Sequence, residues 1–231
     1  MVSNESSNPQ KSLKQLGKEL VTTQTLGGMR GIIDEFVENE AAYPPAQRQA
    51  KLRLGKLIRE EYVPLSLLLQ SIPSIKTARL AKPSNHGPDA FLVTDSGEDE
   101  IAVQITTAGE DEETHLERQM LEQGRPVFPR QETYRDPVTN SSQQRGRMLQ
   151  RPKERTSLLL SEARAAVQKR IDNYREGTQF LLVSMRQSSK GQEADWRTRL
   201  HRELAELEKI PYQAIYASMG SQVFECWPPC E

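Results

Sequence analysis

The chain has 231 residues, 35% of them hydrophobic and 27% charged, with a formal net charge of −1 at pH 7. That length allows one large domain or one domain with an appendage, and the near-zero charge excludes a globally cationic chain, so any basic surface must be local. No apolar run approaches the roughly 20 residues that span a bilayer, the opening M-V-S-N-E-S-S-N-P-Q-K lacks the apolar core of a secretory signal, and two cysteines, Cys226 and Cys230, build no disulfide framework.

A cytoplasmic protein with no membrane segment is therefore expected. Residues 1 to about 10 are polar and read as disordered. Helices are expected over Lys11–Leu20 and Gly31–Glu40, separated at Thr25-Leu26-Gly27-Gly28. Together, residues 1–45 read as an N-terminal helical extension. Tyr43-Pro44-Pro45 starts a longer helix from Ala46 to Tyr62, since proline is tolerated in a first helical turn. Its apolar stripe, Ala50, Leu54, Leu57 and Ile58, continues to Glu61, which puts a carboxylate on the inward edge. Val63-Pro64 interrupts it, Leu65 to Leu69 is densely apolar, and Ile75 to Ala81 reads as a first strand.

Gly87 to Gly109 reads as a hairpin. Phe91-Leu92-Val93 forms one strand, bounded by Pro88 and by Asp95-Ser96-Gly97. Ile101, Val103 and Ile105 then alternate with Ala102, Gln104 and Thr106, the period of two of a pleated strand. Glu100, Ala102, Gln104 and Thr106 share the opposite face. The hairpin brings Asp89, at the start of the first strand, near Gln104 to Thr106 at the end of the second. A carboxylate beside a polar row is a cradle for a divalent cation.

An acidic run, Glu110 to Glu113, opens a helix expected to about Gln123, suited to a helix N-terminus. Residues 124–155 read as an insertion without regular structure, ending in the basic residues Arg145, Arg147, Arg151, Lys153 and Arg155. Such a loop is either a phosphate-contacting segment or a solvated one. Ser157 to Arg175 is an amphipathic helix ended by Gly177. Gln179 to Met185 is a near-continuous apolar strand, the pattern of burial on both faces. A charged helix over Gln192 to Lys209 follows, and two short strands, Ala214–Met219 and Gln222–Trp227, close the chain. The fold class expected is α/β, a mixed sheet with an antiparallel three-strand meander and flanking helices.

This order of elements resembles the PD-(D/E)xK nuclease superfamily, the restriction-endonuclease-like fold. Pro88-Asp89 looks like its PD, and Ile101 to Thr106 looks like the strand that carries the (D/E)xK half. Two registers stand open, with Gln104 at the acidic position and Thr106 at the lysine position, or Ala102 and Gln104 in those places; the E-x-K triplet is intact in neither. Ala163, Val167, Lys169 and Tyr174 with the following Phe180–Val183 strand are similar to the helix and strand that follow in many members. The resemblance spans about residues 46–185, within a restriction-endonuclease-like domain over residues 46–231.

The resemblance implies a nuclease that hydrolyses DNA phosphodiester bonds, in a restriction or defence role, using Mg2+ or Mn2+. Asp89, Gln104 and Glu61 would hold the metal; Thr106 or Lys169 would stand in for the lysine that orients the nucleophile. Glu100 is an alternative acidic ligand. The other readings are a catalytically inactive nuclease-like domain that binds nucleic acid or a protein partner, and an α/β interaction module; a homodimer is compatible with each. No phosphate-binding Gly-rich loop or G-x-S-x-G elbow occurs, and His86, His115 and His201 show no metal-ligand spacing.

Overall fold

The first helix, α1 (Leu13–Leu20), begins where Ser12 can satisfy the free N–H groups of its first turn. Ser12 Oγ accepts from the Gln15 N–H at 3.3 Å, and Gln15 Oε1 accepts from the Ser12 N–H at 2.8 Å. The structure, a computed structural model, describes residues 11–82, 87–94, 99–108, 131–135, 142–146, 152–185 and 193–228. A two-residue strand, β1 (Gln24–Thr25), leads into α2 (Leu26–Asn39). Gly27 and Gly28, expected to separate two helices, form its first turn instead, because the Thr25 hydroxyl caps the Gly28 N–H at 3.3 Å.

The long helix expected over Ala46–Tyr62 is built in pieces. A 3₁₀ turn (Pro45–Gln47) precedes α3 (Arg48–Leu57), a π turn (Ile58–Tyr62) follows, and α4 (Val63–Ser71) continues without a break. Pro64 does not interrupt the run. It follows directly on the π turn, whose wider Val63 N–H to Ile58 carbonyl bond precedes it in the run.

Seven strands form one mixed sheet in the order β1-β2-β3-β4-β7-β8-β9. β2 (Ile75–Leu80) pairs antiparallel with β1 and with β3 (Ala90–Thr94), and β3 pairs antiparallel with β4 (Glu100–Ala108). β7 (Phe180–Met185) lies parallel between β4 and β8 (Ala214–Met219), and β9 (Gln222–Trp227) returns antiparallel on β8. Parallel neighbours need crossovers; α5 (Pro152–Asp172) precedes β7, and α6 (Glu193–Ala205) links β7 to β8. β5 (Gln131–Arg135) and β6 (Ser142–Gly146) form a separate antiparallel pair.

This pair corrects the expectation of an unstructured segment over 124–155. Gln131 to Arg135 carries Thr133 and Tyr134, residues that suit a strand, but no apolar alternation marks it. The start of α5 at Pro152 also lies earlier than Ser157, again with proline in the first position. The expectations for residues 1–10, for the helix over 110–123 and for His86 and His115 fall outside the described residues.

Helices cover both faces of the sheet. On one, Leu16, Leu20, Met29, Phe36, Leu65 and Leu68 pack on Ala78, Leu80, Leu92, Val103, Ile105 and Leu182. The helices read as an N-terminal extension thus share this core, and β1 pairs with β2. On the other face, Ala163 and Val167 of α5 and Leu200 and Leu204 of α6 meet Leu181, Val183, Ile215 and Ala217. β7 therefore alternates between two cores, which explains its unbroken apolar sequence. The polar row expected along β4 is covered as well: α5 packs on this strand, and Gln104 is wholly buried.

Candidate active site

β3 and β4 part at their ends, and Asp89 fills the gap. The Asp89 N–H donates to the Val103 carbonyl at 2.9 Å, and the Ala81 N–H donates to the Asp89 carbonyl at 2.9 Å. Two residues along β4 from Val103, the Ile105 N–H donates to Asp89 Oδ2 at 2.8 Å. The carboxylate stands in for a backbone acceptor at the end of the ladder, and both neighbours of Gln104 are bonded to Asp89. Charge-assisted bonds of this kind hold a side chain more firmly than neutral ones.

α5 supplies the opposing charge. Its buried positions Ala163 and Val167 set a stripe at helical spacing, and Arg170 is the next residue on it. Arg170 Nη2 donates to the Ile105 carbonyl at 2.6 Å and lies 3.9 Å from Asp89 Oδ2. Beyond the helix, in the turn closed by Gly177 at φ 81°, Arg175 Nη1 donates to Asp89 Oδ1 at 2.7 Å and to the Gly87 carbonyl. Lys169, the residue expected near the site, is one step off the stripe and exposed.

Glu61 comes from the π turn, a local widening of the helix between the buried Ile58 and Tyr62. Such turns recur at functional sites because they aim side chains that a regular helix would not. Its carboxyl makes no hydrogen bond among the described residues. Its pKa is pushed up to about 7, first by burial, then by the charges of Asp89 and Glu60, while Lys56 and Arg170 pull the other way. The charge of Asp89 thus adds to burial in disfavouring ionised Glu61, and below about pH 7 the neutral form predominates.

Gln104 is linked to the cluster from below. Tyr212, just ahead of β8, places its hydroxyl 2.5 Å from Gln104 Oε1 and 3.1 Å from the Arg170 carbonyl. Burial pushes the Tyr212 hydroxyl up to about 12, so it stays protonated. Tyr174 meets its ring edge-on at 5.4 Å. The Gln104 Nε2 is buried without a hydrogen-bond partner.

Asp89 is thus bonded to Arg175 and lies 3.9 Å from Arg170, Tyr212 joins the Arg170 carbonyl to Gln104, and Glu61, on the π turn, is near enough to feel the charges of Asp89 and Arg170. Thr106 is half-buried two residues along β4, opposite Val183. Glu100 is taken elsewhere: it pairs with Arg79 at 3.0 Å, and that guanidinium lies 4.2 Å over the Phe91 ring. Of the basic segment, Arg145 lies in β6 opposite Glu132, and Lys153 and Arg155 lie in the first turn of α5. Arg147 and Arg151 are outside the described residues.

Sequence reasoning missed three members of the cluster. The helical phase of Ala163 and Val167 carries a signal for Arg170. Arg175 follows the helix in a turn, where no periodicity applies. Tyr212 is 108 positions from Gln104, and nothing local marks it. Among the described residues no three His, Cys, Asp or Glu side chains gather where they could hold a metal ion. Among the described residues, no helix is long and apolar enough to cross a membrane. Comparison with protein-family models, with curated proteins and with solved structures gave no match.

Proposed function

We propose that this chain is a metal-dependent nuclease of the PD-(D/E)xK type, with a restriction-endonuclease-like core, that hydrolyses DNA phosphodiester bonds in a restriction or defence role. One observation carries the reading: the half-buried Glu61 carboxyl, without a hydrogen bond among the described residues and raised to about 7 by burial and by the charge of Asp89. A buried acid left unpaired beside a second carboxyl costs stability, and groups perturbed in this way concentrate at working sites.

The donors fit a hard cation such as Mg2+ or Mn2+, which takes oxygen ligands and is satisfied by one or two carboxylates plus water. Glu61 is unengaged, and each Asp89 oxygen accepts one hydrogen bond and keeps a lone pair. Gln104 has one buried amide atom without a partner. Glu61, Asp89 and Gln104 would hold the ion. When bound, it neutralises charge developing on phosphorus and makes a water acidic enough to attack. Holding the ion requires ionised Glu61, the form that burial and the charge of Asp89 disfavour, so metal binding would release its proton. Arg170 and Arg175 are partly exposed, and among the described residues each has further N–H groups to offer phosphate oxygens. Supercoiled plasmid and single-stranded DNA incubated with Mg2+ or Mn2+ test the reading. Nicking is expected from the natural chain and not from Asp89→Ala or Glu61→Ala; equal activity in all three would sink it.

A second reading has its own support. Arg175 already neutralises Asp89, and Lys169 is exposed rather than beside it. A nuclease-like domain without catalysis, binding nucleic acid or a protein partner, would look the same. Salt-dependent DNA binding with no metal-dependent nicking would select it.

A further inference from the structure

The Tyr212 hydroxyl has one hydrogen and two oxygens within reach, Gln104 Oε1 at 2.5 Å and the Arg170 carbonyl at 3.1 Å. It cannot donate to both. The Arg170 carbonyl belongs to the last turn of α5, where carbonyls lose their helical donors. Its neighbours are provided for: the Lys169 carbonyl accepts from the Asn173 N–H at 3.2 Å, and the Ile171 carbonyl from the Tyr174 N–H at 3.2 Å. Tyr212 is the donor given to Arg170. If its hydrogen goes there, its oxygen faces Gln104 as an acceptor, and the amide must present nitrogen to it.

We infer that Tyr212 is a positioning residue that turns the Gln104 amide, so that Nε2 donates to the phenol and Oε1 becomes the unpartnered buried atom beside Asp89. This assignment gives one of the two Nε2 hydrogens an acceptor, and leaves the carbonyl oxygen as the amide end without a partner. An amide's O and N are interchangeable in shape, so the hydrogen-bond network decides the orientation. The 2.5 Å separation is short for N–H···O and lengthens by a few tenths of an ångström with the amide turned. The consequence for the site is chemical. A buried amide oxygen is a ligand for a hard cation, whereas an amide N–H repels one. The inference rests on the proposed metal-dependent reading for what the oxygen binds, and on hydrogen-bond logic for which way it points.

The test separates the two. In 15N-labelled protein, the Gln104 side-chain NH2 is assigned by its loss in Gln104→Glu. Cross-peaks between those protons and the Tyr212 ring are expected in the nuclear Overhauser spectrum, without metal and without any activity. Their absence, with the NH2 near other groups, overturns the orientation. Magnesium is then titrated into the natural chain and into Tyr212→Phe, which keeps the ring and its packing. The positioning role predicts affinity about tenfold lower in the variant, the usual effect of removing a group that orients a ligand, and a shifted Gln104 amide resonance. Equal affinity with an unshifted resonance overturns it. If the natural chain binds no magnesium, the metal-dependent reading fails, and the ring cross-peaks still decide the amide.

Discussion

Replacing Glu61 by glutamine should make the protein more stable at pH 8.5 and leave it unchanged at pH 4. The Glu61 carboxyl is raised from its ordinary 4.5 to about 7 in the folded chain, chiefly by burial. Between those values the unfolded chain has released this proton and the folded chain keeps it. Folded protein therefore binds more protons, and stability falls as pH rises through that window. The penalty is full above about 7 and absent below 4.5. At about 1.4 kcal/mol per pH unit the ceiling is roughly 3 kcal/mol. Glu61 is partly open to solvent, which screens the effect to about 1–2 kcal/mol. Glutamine keeps the shape and abolishes the charge. Thermal melts in metal-free buffer should put Glu61→Gln about 2–8 °C above the natural chain at pH 8.5, given roughly 2–4 °C per kcal/mol at this size. Other carboxyls titrate in both proteins and cancel in the difference. Adding Asp89→Asn should shrink the gap, because Asp89 is the second cause of the shift. A difference that is the same at pH 4 and 8.5 would refute the reasoning.

Arg175→Met should cost about 1.5–3 kcal/mol in urea unfolding, the range for hydrogen bonds to charged groups, since Asp89 and the Gly87 carbonyl lose their donor. The same variant should bind Mn2+ more tightly by calorimetry, because the guanidinium no longer competes for Asp89; weaker binding would give Arg175 a supporting role instead. Leu182→Ala, which empties a fully buried position in β7, should cost about 2–5 kcal/mol without altering DNA binding. Reversing the charges of Arg145, Arg147 and Arg151 together should flatten the salt dependence of DNA affinity by about 0.9 in log–log slope for each phosphate left without its cation; an unchanged slope would assign that segment to solvent.

How much could be read in advance depended on whether the information was local. The alternation from Ile101 to Ile105 announced β4 as a strand, though not that its polar face is covered too, and the unbroken run from Phe180 to Val183 announced a strand with two covered faces, a pattern that mirrors burial directly. β5 and β6 lay in a polar stretch, and their backbone pairing leaves no apolar mark. At the site, Asp89 stood out through Pro88 and the strand after it, and Glu61 through the stripe of α3. The resemblance points to Lys169, whereas the phase of Ala163 and Val167 points to Arg170. The raised pKa of Glu61 depends on burial and on a carboxylate 28 positions away, so no periodicity could disclose it. Tyr212 required the closed sheet, since only the placement of β8 brings it under Gln104.

Manganese binding followed by electron paramagnetic resonance tests the central claim most directly, because it reads the ion at the cluster without asking for catalysis. With Glu61, Asp89 and Gln104 as the donors, the natural chain should bind one Mn2+ at neutral pH, and Glu61→Ala and Asp89→Ala should each lose it while keeping the fold. No binding by the natural chain, or equal binding by all three proteins, would contradict the account.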